Sequence, residues 1–425
     1  VACFPGSFKS FAGMGTIAAD TRVLPVRPNL HQDRFYAGRP AAAAIDLGSA
    51  NMPATEVGTS EDLLTELSAW VKIETPTTDA AAVNRLMDVA EAELVRAGAA
   101  TTRIPGRDGF GDNLLARTAG EGKPVLVAGH LDTVWSHGTL EAMPYTVNGT
   151  KAHGPGIYDM KAGSFLAFHA VRSILTQGIA TPRPIVLLLT PDEEVGSPTS
   201  RWLIEREAAQ AAYVLIPEPA GGGGACVTAR KGVGRFVMRV EGRGAHAGTS
   251  FQDGASAIVE LSHQILGLHR MVDIDGGITL NCGPIWGGSR PNVIAPDAGC
   301  EIDLRVNSVA DGVRMEERIL GLTAKTAGCR VIVDGGMNRP PYVESPAISA
   351  LYAKAAAVAQ QVGLALPKQH RGGGSDGNFS AALGVPTLDG LGCPGAGAHA
   401  SHEHILWGHL AQRAALMAGL LETLD

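Results

Sequence analysis

The stretch IVLLLTPDEEVGS, residues 185–197, runs from an uncharged apolar hexad into a proline and three consecutive acids. A run that apolar and that short reads as a strand buried on both faces. The pattern recurs on either side. Residues 124–129, PVLVAG, form another apolar run closed by a sharp glycine, and residues 213–216 a third. Helical spacing fills the gaps. Phe165, Phe168, Val171, Ile174 and Leu175 repeat along residues 160–177 with Gly178 as the stop, and residues 198–211 make the next helix. Upstream, SEDLLTELSAWV from Ser60 predicts a serine-capped first helix. Strands alternating with helices imply an α/β fold, a mostly parallel sheet covered on both faces.

Gly221 to Gly224 break that rhythm. From Gly234 to Asp334 the order becomes strand (235–240), helix (255–269), strand (278–282), strand (299–306), helix (313–326), strand (330–334). This β-α-β-β-α-β order is that of an α+β ferredoxin-like sandwich. It predicts a unit at residues 231–337 inserted into a larger domain made of 56–230 and 338–425, the last helix being residues 406–424. No internal repeat is present. Residues 1–55 show no period and no continuous signal-peptide core, and read as an irregular leader. Met52 is one candidate start of translation; an ordinary leader is the other.

A chain of 425 residues exceeds one ordinary core, so two domains are expected. With 45% hydrophobic and 18% charged residues the composition is globular rather than disordered. A net charge of −7 without a basic block argues against nucleic acid as a partner. No apolar run reaches the roughly 20 residues of a membrane span. Cys3, Cys226, Cys282, Cys300, Cys329 and Cys393 lack CxxC spacing, which suits free thiols in a reducing cytoplasm.

Chemistry concentrates where strands end, the place ligands bind in parallel sheets. GHLDTV puts His130 and Asp132 after the first apolar run. His130 offers a neutral nitrogen to a metal, and Asp132 can brace its other nitrogen; alone, such a histidine also reads as structural. GPGIYDMKAG holds Asp159 at the start of the long helix, where an aspartate by default caps it. Glu193 and Glu194 are adjacent acids, repelling unless one binds a cation or shares a proton. LIPEPA adds Glu218, and GAGAHASHEH supplies His399 with Glu403 four residues on. Two zinc ions would bring four positive charges. Asp159 shared between them, Glu194, Glu218 and one hydroxide would return four negative ones. Each zinc would then have the four ligands it prefers, and Glu193 would stay unbound as general base.

In this order, HxD, PGIxDMKAG, DEE-GS, EP and a late GAxH resemble the metallopeptidase family numbered M-twenty. That family includes glutamate carboxypeptidase of the G type, acetylornithine deacetylase and succinyl-diaminopimelate desuccinylase. The resemblance runs from about Ser60 to the C-terminus. It implies His130, Asp159, Glu194, Glu218 and His399 as ligands of two Zn2+ (Co2+ or Mn2+ as substitutes), Glu193 as base and Asp132 bracing His130. Two departures stand out: His399 is crowded by His402 and His404, and Tyr158 precedes the bridging aspartate where a small residue is common. The inserted unit resembles the family's lid and dimerisation domain, implying a homodimer in which His246 of AHAG reaches the partner's site. Arg305, on the polar face of CEIDLRV with Glu301 and Asp303, suits a substrate carboxylate. Asn292 and the loop Gly372, Gly373, Gly374, Ser375 are further substrate contacts by resemblance; a plain tight turn is the alternative for the loop.

The reading is therefore zinc-dependent hydrolysis of an amide bond next to a free carboxylate, glutamate-carboxypeptidase-like, on a small peptide. An N-acyl-amino-acid deacylase or desuccinylase uses the same machinery. For a second carboxylate, Lys231, Arg290 and the amides of residues 372–375 are the expected partners. A non-catalytic ligand-binding descendant would be expected to have lost Glu193 or a ligand, and this chain keeps them all. A single-metal esterase leaves two carboxylates unexplained.

Overall fold

Val125 and Val127 join one apolar cluster while Leu126 and Ala128 join another, as the two-residue repeat of a strand with both faces covered requires. This computed structural model describes residues 53–425; residues 1–52 of the leader, Met52 among them, fall outside the described residues. The central sheet orders its six strands as Ala100–Ile104, Asn113–Arg117, Ile185–Thr190, Val125–His130, Tyr213–Leu215 and Thr387–Leu388. The last four pair in parallel and the first two antiparallel. The sheet is thus mixed, parallel where the site-bearing strands lie.

Helices Ala80–Ala97, Ala162–Gln177 and Leu410–Thr423 cover one face, and Arg201–Gln210 with the short Gly377–Ala382 covers the other. Helix Ala80–Ala97 and the two antiparallel strands are absent from the sequence reading. Asp79 caps that helix and Gly98 ends it at φ 98°, with Val83, Leu86, Met87, Ala90 and Leu94 buried at helical spacing. The first helix, Ser60–Val71, is capped by Thr59 rather than by the serine. Thr59 accepts from the Asp62 N–H, and the Asp62 carboxylate accepts from Thr59 N–H, a reciprocal capping box. No described helix is long and apolar enough to cross a membrane.

A second, four-stranded antiparallel sheet runs Thr279–Gly287, Asp297–Val306, Gly232–Glu241, Arg330–Arg339. Helices Ala257–His269 and Val309–Leu320 pack on it around Phe236, Met238, Ile302 and Leu304. Order and pairing match the ferredoxin-like expectation. Its second helix starts four residues earlier than expected because Ser308 caps it, accepting from Asp311 N–H.

A third, small sheet was not legible in the sequence and decides where the site forms. Its strands run Gly395–Ala396, His404–Leu406, Lys151–His153, Thr146–Asn148. The loop holding His399 and the loop leading to Asp159 both leave it, side by side.

Candidate metal centre

Three neighbouring parallel strands deliver acids and a histidine from their carboxyl ends. His130 and Asp132 follow Val125–His130, Glu193 and Glu194 follow Ile185–Thr190, and Glu218 follows Tyr213–Leu215. Asp159 and His399 arrive from the small sheet. Helix Ala162–Gln177 seats against this cluster through Gly163, where an added Cβ would lie 1.7 Å from the Pro217 carbonyl oxygen. Only glycine fits there, which accounts for the second glycine of the PGIYDMKAG stretch.

The two carboxylate oxygens of Asp159 face different histidines. Oδ1 is 3.7 Å from His130 Nε2 and Oδ2 is 3.2 Å from His399 Nε2. His130 Nε2 is also 3.8 Å from Glu218 Oε1, and His399 Nε2 is 3.1 Å from Glu194 Oε2. The cluster thus divides into two sets, each with one imidazole, one glutamate and one oxygen of a shared aspartate. His130 Nδ1 lies 3.0 Å from the Asp132 carbonyl oxygen and 3.3 Å from its carboxylate, so the nearer brace is the main chain. The buried Asp132 carboxylate accepts from Thr77 Oγ1 (2.7 Å) and from the Glu193 and Glu194 N–H groups (3.2 and 3.3 Å). One residue, Asp132, therefore fixes both the imidazole, through its carbonyl, and the adjacent acids, through its carboxylate.

The donor set fits divalent metal. His130 Nε2 and Glu194 Oε1 are buried without a hydrogen-bond partner, and buried polar atoms are rarely left so. Ligand atoms of His130, Asp159 and Glu194, and of His130, Glu193 and Glu218, lie within 4.8 Å of one another. Burial raises Glu194 to about 7 and pushes Glu218 well up, with neighbouring acids adding to it. Burial also pushes Asp159 up, but the facing His130 and His399 outweigh it and hold its carboxyl low. His399 in turn is raised to about 10 by Asp159 and Glu194. Crowded acids that lift one another are what a cation relieves.

Glu193 differs from Glu194 in having an arginine partner. Arg339 Nη2 donates to its Oε1 at 2.7 Å, to its carbonyl, to Ser197 Oγ and to Asp376 Oδ1. That contact separates the two glutamates, which proximity alone does not. The only sequence cue for Arg339 is its place before the proline pair where the second sheet hands the chain back.

A cavity of about 580 Å3 opens over the cluster, and Arg305, Gly373, Gly374, Arg339 and Arg371 line its walls. Ser375 lies beneath it, fully buried, its hydroxyl donating to Asp389. His246 and Asn292 are not among its lining residues; both sit in exposed loops beside the second sheet. Arg305 faces the cavity but grips Asp303 through two hydrogen bonds of 2.7 and 2.8 Å. Lys231 donates to the Gly277 carbonyl and Arg290 lines a separate cavity, so the chain does not bring these two to the cluster.

A mixed sheet with acids and histidines paired across a shared aspartate defines a metallohydrolase. The chain belongs to Peptidase family M20/M25/M40, whose profile matches residues 126–423. It is 31% identical over 395 residues to Carboxypeptidase G2 of Pseudomonas sp. (strain RS-16), covering 88% of this chain and 93% of that one. It is 28% identical over 228 residues to acetylornithine deacetylase of Myxococcus xanthus, covering 49% and 58%. The fold matches that of aminopeptidase PepT from Bacillus cereus ATCC 10987 with TM-score 0.68 at 22% identity, over 86% of this chain and 99% of that one.

Proposed function

We propose that the protein hydrolyses the amide bond beside a free carboxylate, releasing a C-terminal amino acid of acidic type. The single observation that carries this reading is the division of His130, Glu218, His399 and Glu194 across the two oxygens of Asp159. These five residues would hold two divalent cations, zinc first, which when bound would polarise the scissile carbonyl and acidify water. Glu193, held by Arg339 through one oxygen, takes the proton from the attacking water with the other and returns it to the leaving nitrogen. The carboxypeptidase relative, matched over most of both chains, supports the acid-releasing form. The acetylornithine deacetylase match favours a second form, an N-acyl-amino-acid deacylase, with the same residues in the same roles.

In this reading residues 231–337 form a lid and join two chains. His246 accepts the Gly248 and Thr249 N–H groups at Nδ1, both at 3.1 Å. Its proton is thereby directed to Nε2, a donor facing outward, suited to a carbonyl oxygen in the partner chain's cavity, and Asn292 accompanies it. The five described cysteines are free thiols, which supports a reducing cytoplasm. The deciding experiment is turnover of paired dipeptides and N-acyl amino acids, free and C-terminally amidated, by zinc-loaded protein. Equal cleavage of amidated and free forms would refute the carboxylate requirement.

A further inference from the structure

The cavity wall carries more cations than one carboxylate needs, and most of them are already matched. Arg230 is paired with Asp389 through hydrogen bonds of 2.6 and 2.8 Å. Arg339 is held by Glu193 and Asp376, and Arg305 by Asp303. Two remain without an acidic partner among the described residues. Arg235 is exposed and has only the Val195 carbonyl at 3.4 Å. Arg371 is half-buried, and its Nη1 donates to the Pro219 carbonyl at 3.3 Å.

Tyr158 lines the same cavity and holds the same segment as Arg371. The Tyr158 hydroxyl donates to the Ala220 carbonyl at 3.0 Å, so the two side chains hold consecutive carbonyls of one segment, directly after Glu218. Tyrosine and arginine thus brace one segment between them: the phenol is anchored on Ala220, and the guanidinium, bonded through Nη1 to Pro219, lines the cavity. A carbonyl partner leaves the arginine's charge unneutralised, unlike its three paired neighbours. A partly buried, uncompensated guanidinium beside a reaction centre is a site for an anion. Tyr158 also finds a role here, standing where a small side chain would leave the segment unbraced.

Resting on the reading of the site as a carboxylate-requiring amidohydrolase, we infer that Arg371, positioned by Tyr158, selects substrates bearing a second carboxylate besides the one at the scissile amide. That carboxylate belongs either to the released amino acid or to the acyl group. Two substrate pairs separate these sources. N-acetylglutamate against N-acetylglutamine removes the charge on the amine side at constant shape, and N-succinyl against N-butyryl norvaline removes it on the acyl side.

The wild-type enzyme should prefer the dianionic member of one pair. Arg371→Ala should cut that ratio of kcat/KM by about 10- to 100-fold, the effect falling on KM, because a site built around a polar group discriminates strongly. Arg371→Lys should restore part of the ratio, since it keeps charge but not the planar fork. Tyr158→Phe should lower the ratio less than Arg371→Ala. A ratio that survives Arg371→Ala, in protein melting like wild type, overturns the inference, as does a wild type indifferent to charge in both pairs. Wild-type enzyme that cleaves none of the four would instead overturn the underlying functional reading.

Discussion

The fully buried carboxylate of Glu403 accepts the backbone N–H of Asp159 at 3.0 Å. It also accepts from Tyr158 N–H at 2.8 Å, Gly156 N–H at 2.9 Å and Trp135 Nε1 at 2.7 Å. Glu403 lies on the loop that presents His399, so one side chain locks together the two loops that carry the shared aspartate and the second histidine. Glu403→Ala would strand these donors, and each unsatisfied buried group costs about 1–3 kcal/mol. The expected result is a loss of several kcal/mol in denaturant unfolding together with weaker metal binding; unchanged values in both would show that the loops hold without it.

Glu193→Gln tests the division of labour between the adjacent acids. Turnover should fall by about two to four powers of ten, the range for a lost general base. The amide oxygen still accepts from Arg339, so metal content should stay at its wild-type value. If Glu193→Gln loses metal and Glu194→Gln keeps it, the two roles are exchanged.

Metal binding should release protons. The metal-free cluster keeps His399 protonated up to about 10 and Glu194 up to about 7, and a ligand must be deprotonated to bind. Raised values mean protons held at neutral pH that the metal displaces, so affinity should rise from pH 6 to pH 8. Calorimetry of zinc binding in buffers of different ionisation enthalpy reads the proton count directly. Affinity that falls or stays flat over that range would contradict the ligand set. Saturating metal should also raise the melting point, through about 2.7 kcal/mol of stabilisation for each bound ion at a hundredfold excess over Kd.

What the sequence discloses follows from range. His130 with Asp132, and Glu193 with Glu194, announce themselves because each pair sits within three residues at a strand end. The roles of Arg339 and Glu403 do not, because their contacts span 146 and 244 residues, and nothing local marks an arginine before a proline as the partner of a distant glutamate. The small sheet that joins the Asp159 and His399 loops has strands of two or three residues, too short to show a period. The edge strand Ala100–Ile104 has no buried residue, so it lacks the apolar run that revealed its buried neighbours.

The cross-subunit role proposed for His246 has a direct test. An inactive His246→Ala chain mixed with an inactive Glu193→Gln chain should recover part of the activity. Each mixed dimer then holds one cavity with an intact base and an intact donor from its neighbour. No recovery in mixed dimers confirmed by mass would place His246 outside the reaction.

In the proposed reading Arg305 binds the carboxylate at the scissile amide while sharing its charge with Asp303. Both of its hydrogen bonds to Asp303 use Nε and Nη2, which leaves Nη1 for a substrate on the cavity side. Arg305→Ala removes that donor and leaves the Asp303 charge beside the arriving carboxylate, so attraction becomes repulsion. The loss in kcat/KM should be roughly 2–4 kcal/mol, as for truncating one partner of a close charge pair. Part of it should fall on kcat, because a lid that fails to close leaves water in the site. Asp303→Asn should act the other way, lowering KM for free acids by releasing the guanidinium. Amidated substrates carry no charge at that position, so neither substitution should change them much. The sign is decisive: if Asp303→Asn raises KM as Arg305→Ala does, Asp303 positions the arginine and does not compete for it.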